Sequence, residues 1–477
     1  MLPKAFLDKQ RLWLGEQFDE YLAAMQKSAT RGLHLNLCKG IAPLSCDDIA
    51  KELGRPLQPL SYASDGFLLQ DGCEISVGKL PLHHAGAYYM QEPSAMAPVC
   101  CLPLREGMKV LDLCASPGGK SSQIANRIGE TGLLVANEIN PQRCAVLAGN
   151  IERMGIRNAI VTNTDAKTLA FHLHHYFDVV VVDAPCSGEG MFRKTPEAIA
   201  EWQESTPALC ATRQKEILSY AIHMLKPNGF LLYSTCTFSH EENEDVLSWL
   251  LTEYPAFTLC PVPVAVQNVT LPGLHSEAHD LSLARRFSPH YASGEGQFMA
   301  LLQKNNALDE APLFSFGPSP HKQKKAPSSF VGKTQDADKK VAISFVAEVL
   351  TEKGRVCCPT PMPFKDGFTL PPNACLDTFP LPHKEIYAYG VKLGEVRKGR
   401  VVPFHHFFTA YGHHFKRIVS FSSQNPLVLS YLRGESVPCD TPNGWGVLAV
   451  DGYALGGVKI TDGMAKNHYP SGLRNHA

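Results

Sequence analysis

Between residues 107 and 304, short apolar runs alternate with stretches whose apolar positions recur at helical spacing. The runs are MKVLDLCA (108–115), GLLVANE (132–138), NAIVTNTD (158–165), FDVVVVDAP (177–185) and GFLLYSTCT (229–237), with GQFMALLQK (296–304) as a closing strand. Between them the spacing predicts helices over Gly119–Ile128, Pro141–Met154 and Pro196–Leu225. Strand–helix alternation of this kind predicts an α/β domain with a mainly parallel, doubly wound sheet. Ahead of it, Phe6–Gln26 has helical spacing and Arg31–Lys39 alternates like a half-buried strand, so 1–85 reads as an α+β segment and 86–304 as the sheet domain. Residues 305–340, rich in Lys, Pro and Ser, read as a linker. Beyond it, 341–382 is a small mixed segment, and the Gly-rich β-type runs of 383–477 predict a small barrel.

Composition narrows the class. With 477 residues, 44% hydrophobic and 19% charged, the chain is globular and has length enough for several domains. No apolar run approaches the roughly 18–20 residues of a membrane span, and the start has no signal-type apolar stretch, so a cytoplasmic protein without membrane contact is expected. The 15 cysteines include no CxxC pair, which argues against a structural metal. A net charge of −1 hides a segregation. Residues 101–250 carry 13 Lys/Arg against 17 Asp/Glu, whereas 381–477 carry 11 against 6. A local basic footprint is therefore compatible with near-neutrality overall.

The sharpest local feature is VLDLCASPGGKSSQIA (110–125). A strand runs through Asp112 and Cys114 into a turn of small residues (Ala115, Ser116, Pro117, Gly118, Gly119), followed by Lys120 and a helix. Such a turn lets backbone N–H groups approach a ligand, and the helix start adds positive potential. It matches neither GxGxxG nor GxxxxGK[ST], so dinucleotide and ATP readings are weak. Glu138 ends the next strand, where a carboxylate can accept ribose hydroxyls, and Asp165 ends the third, within reach of an adenine amino group. The competing reading makes these acids helix caps or solvated turn residues. DAPCSGEG (183–190) and STCT (234–237) close the next two strands and aim Asp183, Cys186 and Cys236 at one crevice. Two such thiols could also form a redox couple, which a cytosolic setting disfavours.

These motifs, with NE (137–138), DAPCSGEGMFRKTPE, YSTCTFSHEENE and the QFMALL strand, resemble the Nop/Sun family of RNA (cytosine-5) methyltransferases, in its RsmF-type bacterial branch. The resemblance implies a Rossmann-like class I S-adenosylmethionine fold with a C-terminal PUA-like barrel. It implies 5-methylcytosine formation in RNA, in 16S ribosomal RNA or the 30S subunit, with the CASPGGK turn, Glu138, Asp165 and Asp183 around S-adenosyl-L-methionine. Cys236 of the T-C motif takes the place of the nucleophile, Cys186 of the P-C motif that of the thiol assisting release, and Asp183 that of the partner of cytosine N3. Lys120 would put positive charge near the thiols. Arg193 and Lys194 are candidate phosphate contacts. HLNLCK (34–39) is similar to an RNA-contacting Arg-x-Asn-x-x-Lys segment, with His34 in the arginine position. Lys459, Lys466, Arg474, Lys416–Arg417 and the histidine pairs 405–406 and 413–414 would give the barrel basic or switchable character. A transfer RNA methyltransferase and a non-catalytic RNA-binding assembly protein are the rivals, and a monomer is the default.

Overall fold

The computed structural model describes residues 2–39, 46–69, 77–305, 336–376 and 379–474. Its centre is a ten-stranded sheet: β1 (Lys109–Asp112), β2 (Leu133–Asn137), β3 (Ala159–Thr162), β4 (Phe177–Asp183), β5 (Leu225–Thr235), β6 (Phe257–Cys260), β7 (Leu271–Pro272), β8 (Arg285–Phe287), β9 (Gln297–Lys304) and β10 (Ile386–Tyr389). The order is β7-β8-β9-β5-β4-β1-β2-β3-β10, with β6 also paired to β9. β1 to β5 run parallel, and β9 and β10 are antiparallel to their neighbours. The winding reverses between β1 and β4, and the crevice at such a switch point is where open α/β sheets bind ligands.

These strands are apolar at consecutive positions because both faces are covered. Val110, Leu134, Val179 and Val181 pack on one face with Ile124 of α1 (Gly119–Ile128) and Leu147 of α2 (Pro141–Arg153). Leu111, Val135, Val180 and Val182 point the other way, onto Leu218 and Ile222 of the helix Thr206–Met224. The helix expected over Pro196–Leu225 is in fact two, Pro196–Glu201 and Thr206–Met224. Pro207 sits in the first turn of the second, and the Thr206 hydroxyl accepts from the Gln203 N–H at 3.1 Å, so the chain restarts rather than continues.

The N-terminal segment carries helices Lys4–Leu14 and Phe18–Met25 and a four-stranded antiparallel sheet. The strand expected to Lys39 stops at Leu35, and the sheet also uses Tyr88–Met90. Of the linker segment, 306–335 lies outside the described residues, and 336–340 open the helix Asp336–Val349. The strands Met362–Phe364, Gly367–Leu370, Val391–Arg397 and Arg400–Pro403 form a second small sheet. The C-terminal curled half-barrel has five strands, with Gly444–Val450, Tyr453–Thr461 and Met464–Asn467 at its centre. It shares a core with the N-terminal sheet, in which Leu33, Leu82 and Tyr88 join Val428, Leu448 and Leu455. No helix among the described residues is long and apolar enough to cross a membrane.

Candidate active site

The loop after β1 is fastened to α2 before any ligand is considered. The Ser116 hydroxyl donates to the Arg143 carbonyl at 3.0 Å, Arg143 Nη2 donates to the Ser116 carbonyl at 3.1 Å, and Asn150 Nδ2 donates to the Pro117 carbonyl at 2.9 Å. Ala115 N–H donates to the Asn137 carbonyl at 2.8 Å. Gly118 has φ +113°, where a side chain is strained, and leads into α1 with no side-chain cap on the helix start. Cys114, on the same loop, is a free thiol pushed up by burial.

Asp112, at the end of β1, is 1% exposed. Its Oδ2 accepts from the Ser121 hydroxyl at 2.6 Å, and its Oδ1 has no partner among the described residues. Burial is the main reason its carboxyl is pushed up to about 7. Glu138, at the end of β2, is buried, accepts from the Asn140 N–H at 2.9 Å and lies 3.5 Å from Arg143 Nη2. Asp165 is exposed and N-caps the helix Ala166–His172, accepting from Thr168 N–H at 2.8 Å. An orphaned carboxylate oxygen, an uncapped helix start and a glycine turn fit a nucleoside cofactor carrying hydroxyl and amino donors.

Across the switch point, Asp183 ends β4. Its Oδ2 accepts from Lys120 Nζ at 2.7 Å, and its Oδ1 accepts from the Ser234 hydroxyl at 2.7 Å and Gln297 Nε2 at 3.3 Å. Burial opposes the charge on Lys120, but Asp183, followed by Cys236 and Asp112, outweighs it, and the ammonium is held above its ordinary range. The Cys186 and Cys236 sulfurs are 3.3 Å apart. The hydrogen bond to Cys236, and then burial, push the Cys186 thiol well up.

What holds the two thiol loops together is Glu242, fully buried, which the motif reading did not assign a role. It accepts from Ser187 N–H at 2.9 Å, from the Ser187 hydroxyl, and from Gln214 Nε2 at 2.9 Å, and Gln214 Nε2 also donates to the Pro185 carbonyl. Burial raises its carboxyl above the ordinary range. Gly190 crosses the T-C strand so closely that a Cβ would lie 2.9 Å from the Cys236 carbonyl oxygen.

Several expected RNA contacts lie elsewhere. The Arg193 side chain is buried, donating through Nε to Glu295 at 2.7 Å and through its Nη atoms to the Ala24 and Gly294 carbonyls, so its charge ties the helix Phe18–Met25 down and is closed to phosphate. Lys194 is exposed. His34, Asn36 and Lys39 are buried as well. His34 stacks on Tyr89 and hydrogen-bonds Ser122, Asn36 binds the Gly86 and Met154 carbonyls, and Lys39 binds the Arg153 carbonyl. They join the N-terminal sheet to the central domain. The histidine pairs are not switches. Burial lowers His405 and His406 to about 3 and His413 and His414 to about 4, so all four are neutral near pH 7. Lys459 and Lys466, by contrast, face each other across paired strands, with Lys459 Nζ 4.9 Å from the Trp445 ring centre.

A parallel sheet with this strand order, a glycine turn after β1 and acids at successive strand ends define a class I S-adenosylmethionine-dependent methyltransferase fold. Family models describing the 16S rRNA methyltransferase RsmB/F (residues 99–303), the N-terminal domain of 16S rRNA methyltransferase RsmF (2–93) and the methyltransferase RsmF PUA domain (419–475) all match. The chain belongs to the RsmB/F methyltransferase family. It is 36% identical over 321 residues to ribosomal RNA small subunit methyltransferase F of Klebsiella pneumoniae, and 34% identical over 331 residues to that of Cronobacter sakazakii. The first alignment spans 65% of this chain and 65% of the relative, and the second 67% of each. Among solved structures, a methyltransferase homolog protein from Pyrococcus horikoshii is 28% identical with TM-score 0.53, covering 63% of this chain and 95% of that one. NSun6 from Pyrococcus horikoshii with SFG has TM-score 0.56 at 20% identity, covering 63% and 98%, a likeness of fold alone.

Proposed function

We propose that the protein transfers a methyl group from S-adenosylmethionine to carbon 5 of a cytosine in 16S ribosomal RNA through a covalent bond to Cys236. The observation that carries this reading is the pair of thiols 3.3 Å apart beside the Lys120–Asp183 ion pair. The turn 114–119, with Asp112, Glu138 and Asp165, would hold the cofactor, which when bound supplies an electrophilic methyl group. The Cys236 thiolate adds to cytosine C6, opening the C5–C6 double bond and moving electron density toward N3 and O2, where the Lys120 ammonium supplies positive charge and Asp183, accepting from it, holds that ammonium beside N3. Carbon 5 is then nucleophilic and takes the methyl group. Loss of the C5 proton re-forms the double bond and expels Cys236 as thiolate. Cys186 serves this last step. Once Cys236 is bonded to carbon, its hydrogen bond no longer raises Cys186, whose thiol can give its proton to solvent and then, as a thiolate, take the C5 proton.

The test supplies full-length protein and labelled S-adenosylmethionine to a naked 16S rRNA transcript, to 30S subunits and to bulk transfer RNA, with bisulfite mapping of the product. Label at a cytosine of 16S rRNA, free or in the subunit, is expected. Label in transfer RNA alone moves the substrate, and no transfer to any RNA overturns the reading.

A further inference from the structure

A cavity of about 360 Å³ opens beside the thiol pair, between the helix Lys4–Leu14 and the ends of β7 to β9. That volume is at the lower end of the roughly 300–1,000 Å³ of small-molecule sites. Its walls include Trp13, Phe238, Leu274 and Phe287. It touches the catalytic crevice through Thr237, next in sequence to Cys236, and through Gln297, whose Nε2 bonds Asp183 Oδ1. None of Cys186, Cys236 or Asp183 lines it, so it is a separate compartment from the one a reacting cytosine must enter.

Its polar groups are selective. Gln10 is 3% exposed, lines the cavity, and its Nε2 has no hydrogen-bond partner among the described residues. A buried amide donor left without a partner carries a desolvation cost that a ligand accepting from it relieves. Arg286, the one Lys or Arg in the lining, is already engaged by Glu244 and the Phe238 carbonyl. A phosphate would find no free Lys or Arg there. A flat group with apolar faces and an acceptor on its edge suits the aromatic walls and the Gln10 amide, and Gln17, His275 and Ser288 add polar positions around it.

We propose that this cavity takes the base of a nucleotide neighbouring the target cytosine, with the base against Trp13 and an edge acceptor on Gln10 Nε2. The inference rests on the reading of the protein as an RNA methyltransferase and names a specificity subsite for it. Aromatic contact provides affinity that tolerates many bases, and the amide favours those with a suitably placed acceptor. Gln297 joins the subsite to Asp183, so seating the neighbouring base and presenting the target are coupled through one side chain.

The test irradiates full-length protein with a naked 16S rRNA transcript at 254 nm and locates nucleotide adducts on the chain by mass spectrometry. An adduct on the cavity wall, at Trp13 or its neighbours, is expected, with at least a fivefold lower yield in Gln10→Leu and unchanged calorimetric affinity for S-adenosylmethionine. In parallel, kcat/KM for the same transcript should fall roughly tenfold in Gln10→Leu and in Trp13→Ala, with thermal midpoints monitored to keep folding separate. Adducts confined to other parts of the chain, no adduct at all, or a cavity adduct of equal yield in Gln10→Leu overturn the subsite. Cross-linking does not require turnover. A cavity adduct without methylation would sink the functional reading alone, and methylation without a cavity adduct would sink the subsite alone.

Discussion

Glu138 puts a buried carboxylate at the mouth of β2, where a backbone N–H and Arg143 hold it. Glu138→Ala should weaken S-adenosylmethionine binding by roughly 1–3 kcal/mol, the loss of a charge-assisted acceptor, while the fold persists. Isothermal titration checks this, and unchanged affinity removes Glu138 from the site. At this scale the acids and thiols were legible because each sits at the end of an apolar run, where local pattern alone predicts a strand mouth. Burial was not legible. Arg193 and the His34, Asn36 and Lys39 set have the composition of an RNA contact, yet Glu295 and backbone carbonyls distant in sequence consume their donors. Glu242 escaped for the converse reason. Its partners Ser187 and Gln214 are 55 and 28 residues away, and nothing local marks it as buried.

Among elements, β1 carries an unusual burden: Asp112, its last residue, follows the apolar pair Val110–Leu111 and is taken out of water with one oxygen unpaired among the described residues. Its folded value of about 7 lies above the ordinary 3.8, so the native state holds that proton more tightly than the unfolded chain does. The associated stability is present in full below the ordinary value and is lost as pH rises toward about 7. Asp112→Asn removes this dependence. Its unfolding free energy relative to the parent protein should rise between pH 5 and pH 8, by a few kcal/mol at most. Urea denaturation of the cofactor-free proteins at both pH values checks it, and a pH-independent difference contradicts it. The strands themselves were readable because doubly covered parallel strands are apolar throughout. The interruption after Glu201 was not, since the helical periodicity runs on across a break made by Pro207 and the Gln203–Thr206 turn.

Over the whole molecule, composition located the β-rich C-terminal part but not its attachments. β10 pairs with β3, and the half-barrel shares a core with the N-terminal sheet. Such pairings join residues hundreds of positions apart and leave no local trace. They also mean that removing residues 383–477 would strip the edge of the central sheet, so point changes are the cleaner probe of docking. Lys459 and Lys466 stand directly opposite each other, an arrangement that disfavours the sheet unless an anion relieves it. If the pair meets phosphates, replacing both lysines by Glu should weaken binding of a 16S rRNA transcript. The slope of log K against log salt should become shallower by about 2, with cofactor affinity unchanged. Filter binding across a salt series measures it, and an unaltered slope places the RNA elsewhere.

The mechanism stands or falls on which sulfur bonds to cytosine. Incubating Cys236→Ala, Cys186→Ala and the double variant with 16S rRNA and methyl-labelled S-adenosylmethionine, then separating products under denaturing conditions, decides it. Cys236→Ala should form neither product nor adduct. Cys186→Ala should accumulate a denaturation-resistant protein–RNA complex that already contains the labelled methyl group, because addition and transfer proceed while release is blocked. The double variant should lose that complex. A complex that persists in Cys236→Ala and disappears in Cys186→Ala would make Cys186 the nucleophile and contradict the mechanism.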